Sequence, residues 1–211
     1  MNQADGPTPV QVDVARIFFG LKASQGFLVA GGAALLASEL ITRPTADLDL
    51  FASSPVASVT TAKQALIRTL GRRDFGVAVI QDSPTFCRMV VDRAGDQVLV
   101  DLAIDSPPHS PPTMTVLGPT LAPVELAGRK LLALFGRAEA RDFADVFLLA
   151  HRFGKDALLE EAASLDAGFD HTVLAQMMGT LDRFADDEIP LDSEDISRAR
   201  TFFATWIEDL R

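Results

Sequence analysis

The sequence predicts an α+β protein, a mixed β-sheet flanked by helices and followed by a helical C-terminal domain. Three observations point there. Apolar, β-branched runs separated by turn chemistry recur between residues 27 and 117. After Leu121 the pattern changes to long amphipathic stretches with helical spacing. Between them in importance is Asp47-Leu48-Asp49-Leu50-Phe51, where acidic and apolar residues alternate with the period of a strand that buries one face. The expected division is an α/β domain over residues 10–120 and a helical domain over 121–211.

Taken in order, residues 1–9 contain Gly6, Pro7 and Pro9 and read as a loose tail. Val10 to Leu21 reads as a helix with Val10, Val14, Ile17 and Phe18 on one face. Phe27 to Ala30 is a buried strand that stops at Gly31-Gly32. A helix from Ala33 to Leu40, a polar loop from Ile41 to Thr45 and a strand from Ala46 to Phe51 follow. Ser54-Pro55 opens a helix running to Leu70, with proline in the first turn where its missing N–H is harmless. Gly71 to Asp74 is a basic turn. Phe75–Ile80, Thr85–Asp92 and Gln97–Ile104 read as an antiparallel meander, separated by Asp82-Ser83-Pro84 and Ala94-Gly95-Asp96. Asp105 to Thr113 holds four prolines and reads as a loop. Met114 to Leu117 reads as a short strand ended by Gly118-Pro119. The expected helices beyond it are Pro123–Phe135, Ala138–Arg152, Lys155–Leu165, His171–Phe184 and Ser193–Leu210, with Pro190 separating the last two.

The 211 residues are 48% hydrophobic and 23% charged, a globular balance that excludes wholesale disorder. A net charge of -10 argues against broad, sequence-independent nucleic-acid binding, which needs lysine and arginine to replace phosphate counterions. The absence of tyrosine weakens any base-stacking platform. No apolar run reaches the roughly 18 residues of a membrane span. The N-terminal residues lack the basic and apolar regions of a secretory leader. Cys87 is the single cysteine and has no disulfide partner within the chain. A cytoplasmic protein that makes no membrane contact is therefore expected.

Several residues are candidates for chemistry. Asp47 and Asp49 share a strand face, and two carboxylates held together suit a divalent cation such as Mg²⁺. Asp101 interrupts the apolar run Val98 to Ile104. It either shares that cation or faces water on an alternating strand, and both readings stand. Gly31-Gly32 precedes a helix, where backbone N–H groups approach phosphates closely. Lys130, Arg137 and Arg141 share a stripe if one helix continues through Gly136. Asp142 and Asp145 lie one turn apart, and Arg141–Asp145 has the spacing of an ordinary i,i+4 ion pair. His109, His151 and His171 show no metal spacing, and Cys87 reads as a small core hydrophobe.

The order of these features resembles the nucleotidyltransferase family AbiEii/AbiGii, toxin components within the polymerase-beta-like nucleotidyltransferase superfamily. The matching residues are Gly31-Gly32, Arg43, Thr45, Asp47, Asp49, Asp101, Lys130, Arg141-Asp142 and Asp145, within residues 27–152. The glycine turn and D-x-D are common across the superfamily, and the lysine with R-D-x-x-D is more particular. The resemblance implies a nucleotidyltransferase-like sheet domain with a helical domain closing over an NTP. It implies that Asp47, Asp49 and Asp101 hold Mg²⁺ or Mn²⁺, and that Lys130 contacts the triphosphate. Asp145, ahead of Asp142, would orient that lysine or the nucleotide. Gly31, Gly32, Arg43, Thr45, Arg141 and Asp142 would complete the nucleotide site. The implied reaction moves a nucleoside monophosphate to a hydroxyl acceptor, in tRNA or a small molecule, with an antitoxin protein as a further partner. Arg68, Arg72, Arg73, Arg129, Arg137 and Arg141 are the contributors to any basic patch for RNA. Ala33 departs from the family pattern, which commonly has Ser or Thr directly after the second glycine. That departure favours the alternative of a catalytically degenerate fold serving as a nucleotide-binding or regulatory module.

Overall fold

In the computed structural model, residues 6–53 and 57–211 are described. The chain forms two compact units, Met1–Pro123 and Val124–Arg211. Among the described residues, the first holds a seven-stranded mixed sheet. Its strands are β1 (Phe27–Ala30), β2 (Asp47–Ala52), β3 (Gly76–Asp82), β4 (Phe86–Arg93), β5 (Asp96–Ile104), β6 (Thr113–Thr115) and β7 (Gly118–Thr120), in the order β3-β4-β5-β2-β1-β7-β6. The expected antiparallel meander is present as β3-β4-β5, and it joins the rest through a parallel β2–β5 pair.

The period-two pattern of β2 is realised. Leu48 and Leu50 are fully buried, while Asp47 and Asp49 are only partly buried on the other face. Leu48 and Leu50 lie beside Val100 and Leu102 of β5, with Met89 and Cys87 of β4 next in line, all inaccessible to solvent. Helices α1 (Pro9–Phe19) and α3 (Val59–Gly71) pack on the β5 side of the sheet and supply Val14, Phe18, Leu66 and Leu70 to this core.

Several boundaries differ from expectation, each for a local reason. Thr8 caps α1 in a capping box with Gln11, so Pro9 sits in the first turn of the helix and not in a tail. The helix after β1, α2 (Gly31–Ala37), begins at the glycines themselves and ends before Leu40, with Glu39 at a positive φ of 56°. The expected helix start at Ser54-Pro55 lies outside the described residues, and α3 is capped by the Ser58 hydroxyl accepting from the Thr61 N–H. Gly118-Pro119 does not end a strand. It forms β7, paired antiparallel with β6, because Gly118 at φ 109° returns the chain after Val116-Leu117.

The second unit is helical, with α4 (Pro123–Gly136), whose first residue is the last of the sheet unit, α5 (Ala140–Phe153), α6 (Lys155–Leu165), α7 (His171–Met178) and α8 (Ser193–Asp209). The expected helix to Phe184 stops at Met178 and continues as a 3-10 turn, Gly179–Arg183. Phe143, Phe203 and Trp206 centre its core, with Phe143 and Phe203 edge to face at 5.2 Å. Among the described residues, no helix is long and apolar enough to cross a membrane.

Leu50→Ala removes a fully buried side chain from the central strand of the sheet. It is expected to lower stability by about 2–5 kcal/mol in urea unfolding, with the slope m unchanged.

Candidate active site

The sheet face opposite the apolar core carries the predicted acidic residues. Asp49 is the register partner of Asp101 across the parallel β2–β5 pair, and of Ala30 on β1. Asp47 lies two residues before Asp49 and so shares its face. Thus Asp47, Asp49 and Asp101 project from one face of two adjacent strands. Asp101 is 6% exposed.

The glycine turn is built around Asp49. Gly31 has φ 62°, and a Cβ added there would fall on the Asp49 carboxylate. Gly32 is nearly as close to the following loop, since its Cβ would lie 3.0 Å from Thr45 Cγ2 and 3.6 Å from Arg43 Nη2. Gly31, Gly32, Arg43, Thr45 and Asp49 are therefore gathered in one place, although they come from a turn, a loop and a strand. Ala33 is fully buried behind them.

Two residues that the sequence pattern does not single out complete this region. Gln11 of α1 is 1% exposed, and its amide donates to the Thr45 carbonyl at 3.0 Å and the Asp47 carbonyl at 2.9 Å. Its Oε1 accepts from the Thr8 N–H at 2.8 Å. One side chain therefore fixes the helix cap and the loop that delivers Asp47. The pattern Thr8-Pro9-Val10-Gln11 was its available signal, since it has the spacing of a capping box.

The second is Arg88 on β4, the register partner of Asp101. Its Nε donates to Asp101 Oδ1 at 2.9 Å and its Nη2 to Oδ2 at 2.6 Å, a bidentate ion pair. The guanidinium also lies over the Phe86 ring at 5.6 Å. The hydrogen bonds to Asp101 are the main reason the Arg88 pKa is raised. Burial opposes them, and the charges of Asp101, Asp47 and Asp49 add to them. All three carboxylates therefore act on one arginine. A signal for it existed in the hairpin turn. Ala94 and Gly95 both have positive φ, so Arg93 faces Asp96, and five residues along each strand Arg88 faces Asp101.

Among the described residues, no three Asp, Glu, His or Cys side chains converge on one point as a metal cage. The donor set still suits a hard cation. Mg²⁺ binds through one or two carboxylates and takes its other ligands from water and substrate phosphates, and Asp47 and Asp49 offer such a pair.

Lys130, Arg141, Asp142 and Asp145 belong to the second unit. Lys130, 8% exposed, lies between two carboxylates of zero exposure, 3.1 Å from Asp142 Oδ1 and 3.0 Å from Asp145 Oδ2. Both aspartates therefore hold it, where the resemblance put Asp145 first. The stripe of Lys130, Arg137 and Arg141 does not form, because α4 ends at Gly136 and Ala138 takes a positive φ of 49°. Arg137 instead turns back and grips Asp142 at 2.9 and 3.0 Å. Arg141 bonds Glu139 at 2.8 Å and Arg129 bonds Glu125 at 2.9 Å. Arg68, Arg72 and Arg73 are exposed at the end of α3 and in the turn after it.

The family model described as nucleotidyl transferase AbiEii toxin, type IV TA system, matches residues 16–210. The chain belongs to this family. JHP933 from Helicobacter pylori has a similar structure, at 15% identity and a TM-score of 0.63 over 97% of this chain and 93% of that one. MenT4, a nucleotidyltransferase toxin from Mycobacterium tuberculosis H37Rv, is similar at 13% identity and a TM-score of 0.52 over 95% of this chain and 90% of that one. At these identities the likeness is one of fold. No curated protein matches the chain. Membership in the AbiEii family places the chain among nucleotidyltransferase toxins.

Burial pushes the Asp142 carboxyl up, but the hydrogen bonds and charges of Arg137 and Lys130 outweigh it, and its pKa lies below the ordinary 3.8. A group depressed in the folded state stabilises fully above its unfolded pKa, and that contribution is lost as pH falls through the folded value. Urea unfolding should therefore show the stability gap between wild type and Asp142→Asn constant from pH 7 to about 5 and closing below about pH 4. A gap independent of pH down to about 2 would contradict this assignment.

Proposed function

We propose that this AbiEii-family chain transfers a nucleoside monophosphate from an NTP to a hydroxyl acceptor. The acceptor oxygen attacks the α-phosphorus in line, a P–O bond forms, and the bond to the β-phosphate oxygen breaks with release of pyrophosphate. The observation that carries the reading is the pairing of Asp47 and Asp49 on one face of β2, in register with Asp101 and packed on the Gly31-Gly32 turn.

Asp47 and Asp49 would hold Mg²⁺ or Mn²⁺. Such an ion, once bound, neutralises phosphate charge and lowers the pKa of an attacking hydroxyl. The chain's own residues set the geometry. Gln11 fixes the Thr45–Asp47 loop, and Gly31 admits the Asp49 carboxylate to the turn. Arg43 and Thr45, against Gly32, line the approach for the triphosphate. Lys130 is assigned to the triphosphate as the family resemblance implies, held meanwhile by Asp142 and Asp145. Arg141 is assigned to the nucleotide on the same ground. RNA is the favoured acceptor class, with Arg68, Arg72 and Arg73 as the exposed cations available to it. An antitoxin protein is the expected functional counterpart, in keeping with the family's type IV toxin–antitoxin description.

A second reading is a degenerate module that binds an NTP without transferring it. Ala33 is the observation behind it, because no hydroxyl follows the second glycine.

Incubation with each α-labelled NTP, Mg²⁺ and total RNA is expected to label RNA. Asp49→Ala is expected to reduce labelling by about 100-fold or more. Label transfer that survives in Asp49→Ala would contradict the site. NTP binding without any transfer would favour the degenerate module.

A further inference from the structure

We infer that Arg88 carries the positive charge that a second metal ion would otherwise bring, so that this site takes a single divalent cation, on Asp47 and Asp49. The inference rests on the proposed nucleotidyltransferase reading and specifies how that site is built. Asp101 is then the anchor of Arg88 and not a metal ligand.

The geometry points this way on three counts. Both oxygens of Asp101 already accept from Arg88, at 2.9 and 2.6 Å. A carboxylate gripped on both oxygens by a guanidinium is a weaker metal ligand, because its charge is offset and two of its four lone-pair sites are taken. Next, Arg88 already brings one positive charge to the face that carries Asp47, Asp49 and Asp101. A second cation would find no carboxylate to hold it before substrate arrives. Finally, Arg88 is fixed rather than trailing. It is braced over Phe86, yet its side chain is 42% exposed while that of Asp101 is 8% exposed. A guanidinium has five N–H donors, and the two spent on Asp101 leave the others for a phosphate oxygen. Arg88 is thus a rigid cation presented on the acidic face, suited to phosphate charge that develops in the reaction.

The test is Mn²⁺ titration of the nucleotide-free protein, with free Mn²⁺ counted by its electron paramagnetic resonance signal. Wild type is expected to bind one Mn²⁺ per chain. Arg88→Met alone leaves Asp101 uncompensated, and it is expected to bind two. Because that variant is at risk of misfolding, the decisive protein is Arg88→Met/Asp101→Asn, which removes both partners of the pair together. It is expected to keep one Mn²⁺ with an affinity within about threefold of wild type, since neither residue touches the ion. Two Mn²⁺ per wild-type chain would overturn the inference and leave the metal reading intact. So would a loss of about tenfold or more in affinity in the double variant, because Asp101 would then be acting as a ligand. Absence of Mn²⁺ binding in every protein would defeat the metal reading itself and this inference with it.

Discussion

Alignment of Asp49 with Asp101 across the parallel β2–β5 pair puts like charges side by side on neighbouring strands. Like charges directly opposite one another destabilise a sheet, and Asp101 is also almost wholly removed from water. The surroundings compensate for both. Arg88, one strand further out, meets Asp101 with two charge-assisted hydrogen bonds. Gly31 gives the Asp49 carboxylate room against the turn. Gln11 holds the loop carrying Thr45 and Asp47 by its carbonyls, so the entry to β2 is set by helix α1. The register of the sheet, the glycine turn and the N-terminal helix all answer to one requirement, that three carboxylates share a face.

The helical unit meets a similar requirement in a drier setting. Asp142 and Asp145 are wholly buried, and Lys130 between them is nearly so. Ionised groups of this kind persist inside a protein only when their hydrogen bonds are fulfilled. Here Arg137 and the Glu139 N–H supply what Lys130 leaves over at Asp142. The break at Gly136 makes this possible, since it frees Arg137 from the α4 helix and lets it double back.

The alternating acids of β2 were legible because a period of two is a local property, readable from five consecutive residues. The meander was legible from its turns, and the helical half from its spacing. The glycine turn, Arg43, Thr45 and the acidic pair were drawn together by a family resemblance, and the structure gathers them around Asp49. Arg88 was not legible in the same way. Its meaning lies in a register partner on another strand, and only counting back through the Ala94-Gly95 turn would have paired it with Asp101. Gln11 was hidden because a polar residue in an amphipathic helix ordinarily faces water. The stripe of Lys130, Arg137 and Arg141 requires one helix through Gly136, and α4 ends there, in line with the separate helices expected at Pro123–Phe135 and Ala138–Arg152.

The proposed site puts a divalent cation on Asp47 and Asp49 while Arg88 keeps Asp101. Anomalous diffraction from a crystal grown with Mn²⁺ is the decisive measurement. One manganese peak is expected about 2 Å from carboxylate oxygens of Asp47 and Asp49, with the Arg88–Asp101 pair intact. A peak ligated by Asp101 with Arg88 turned away, or no peak at β2, would contradict it.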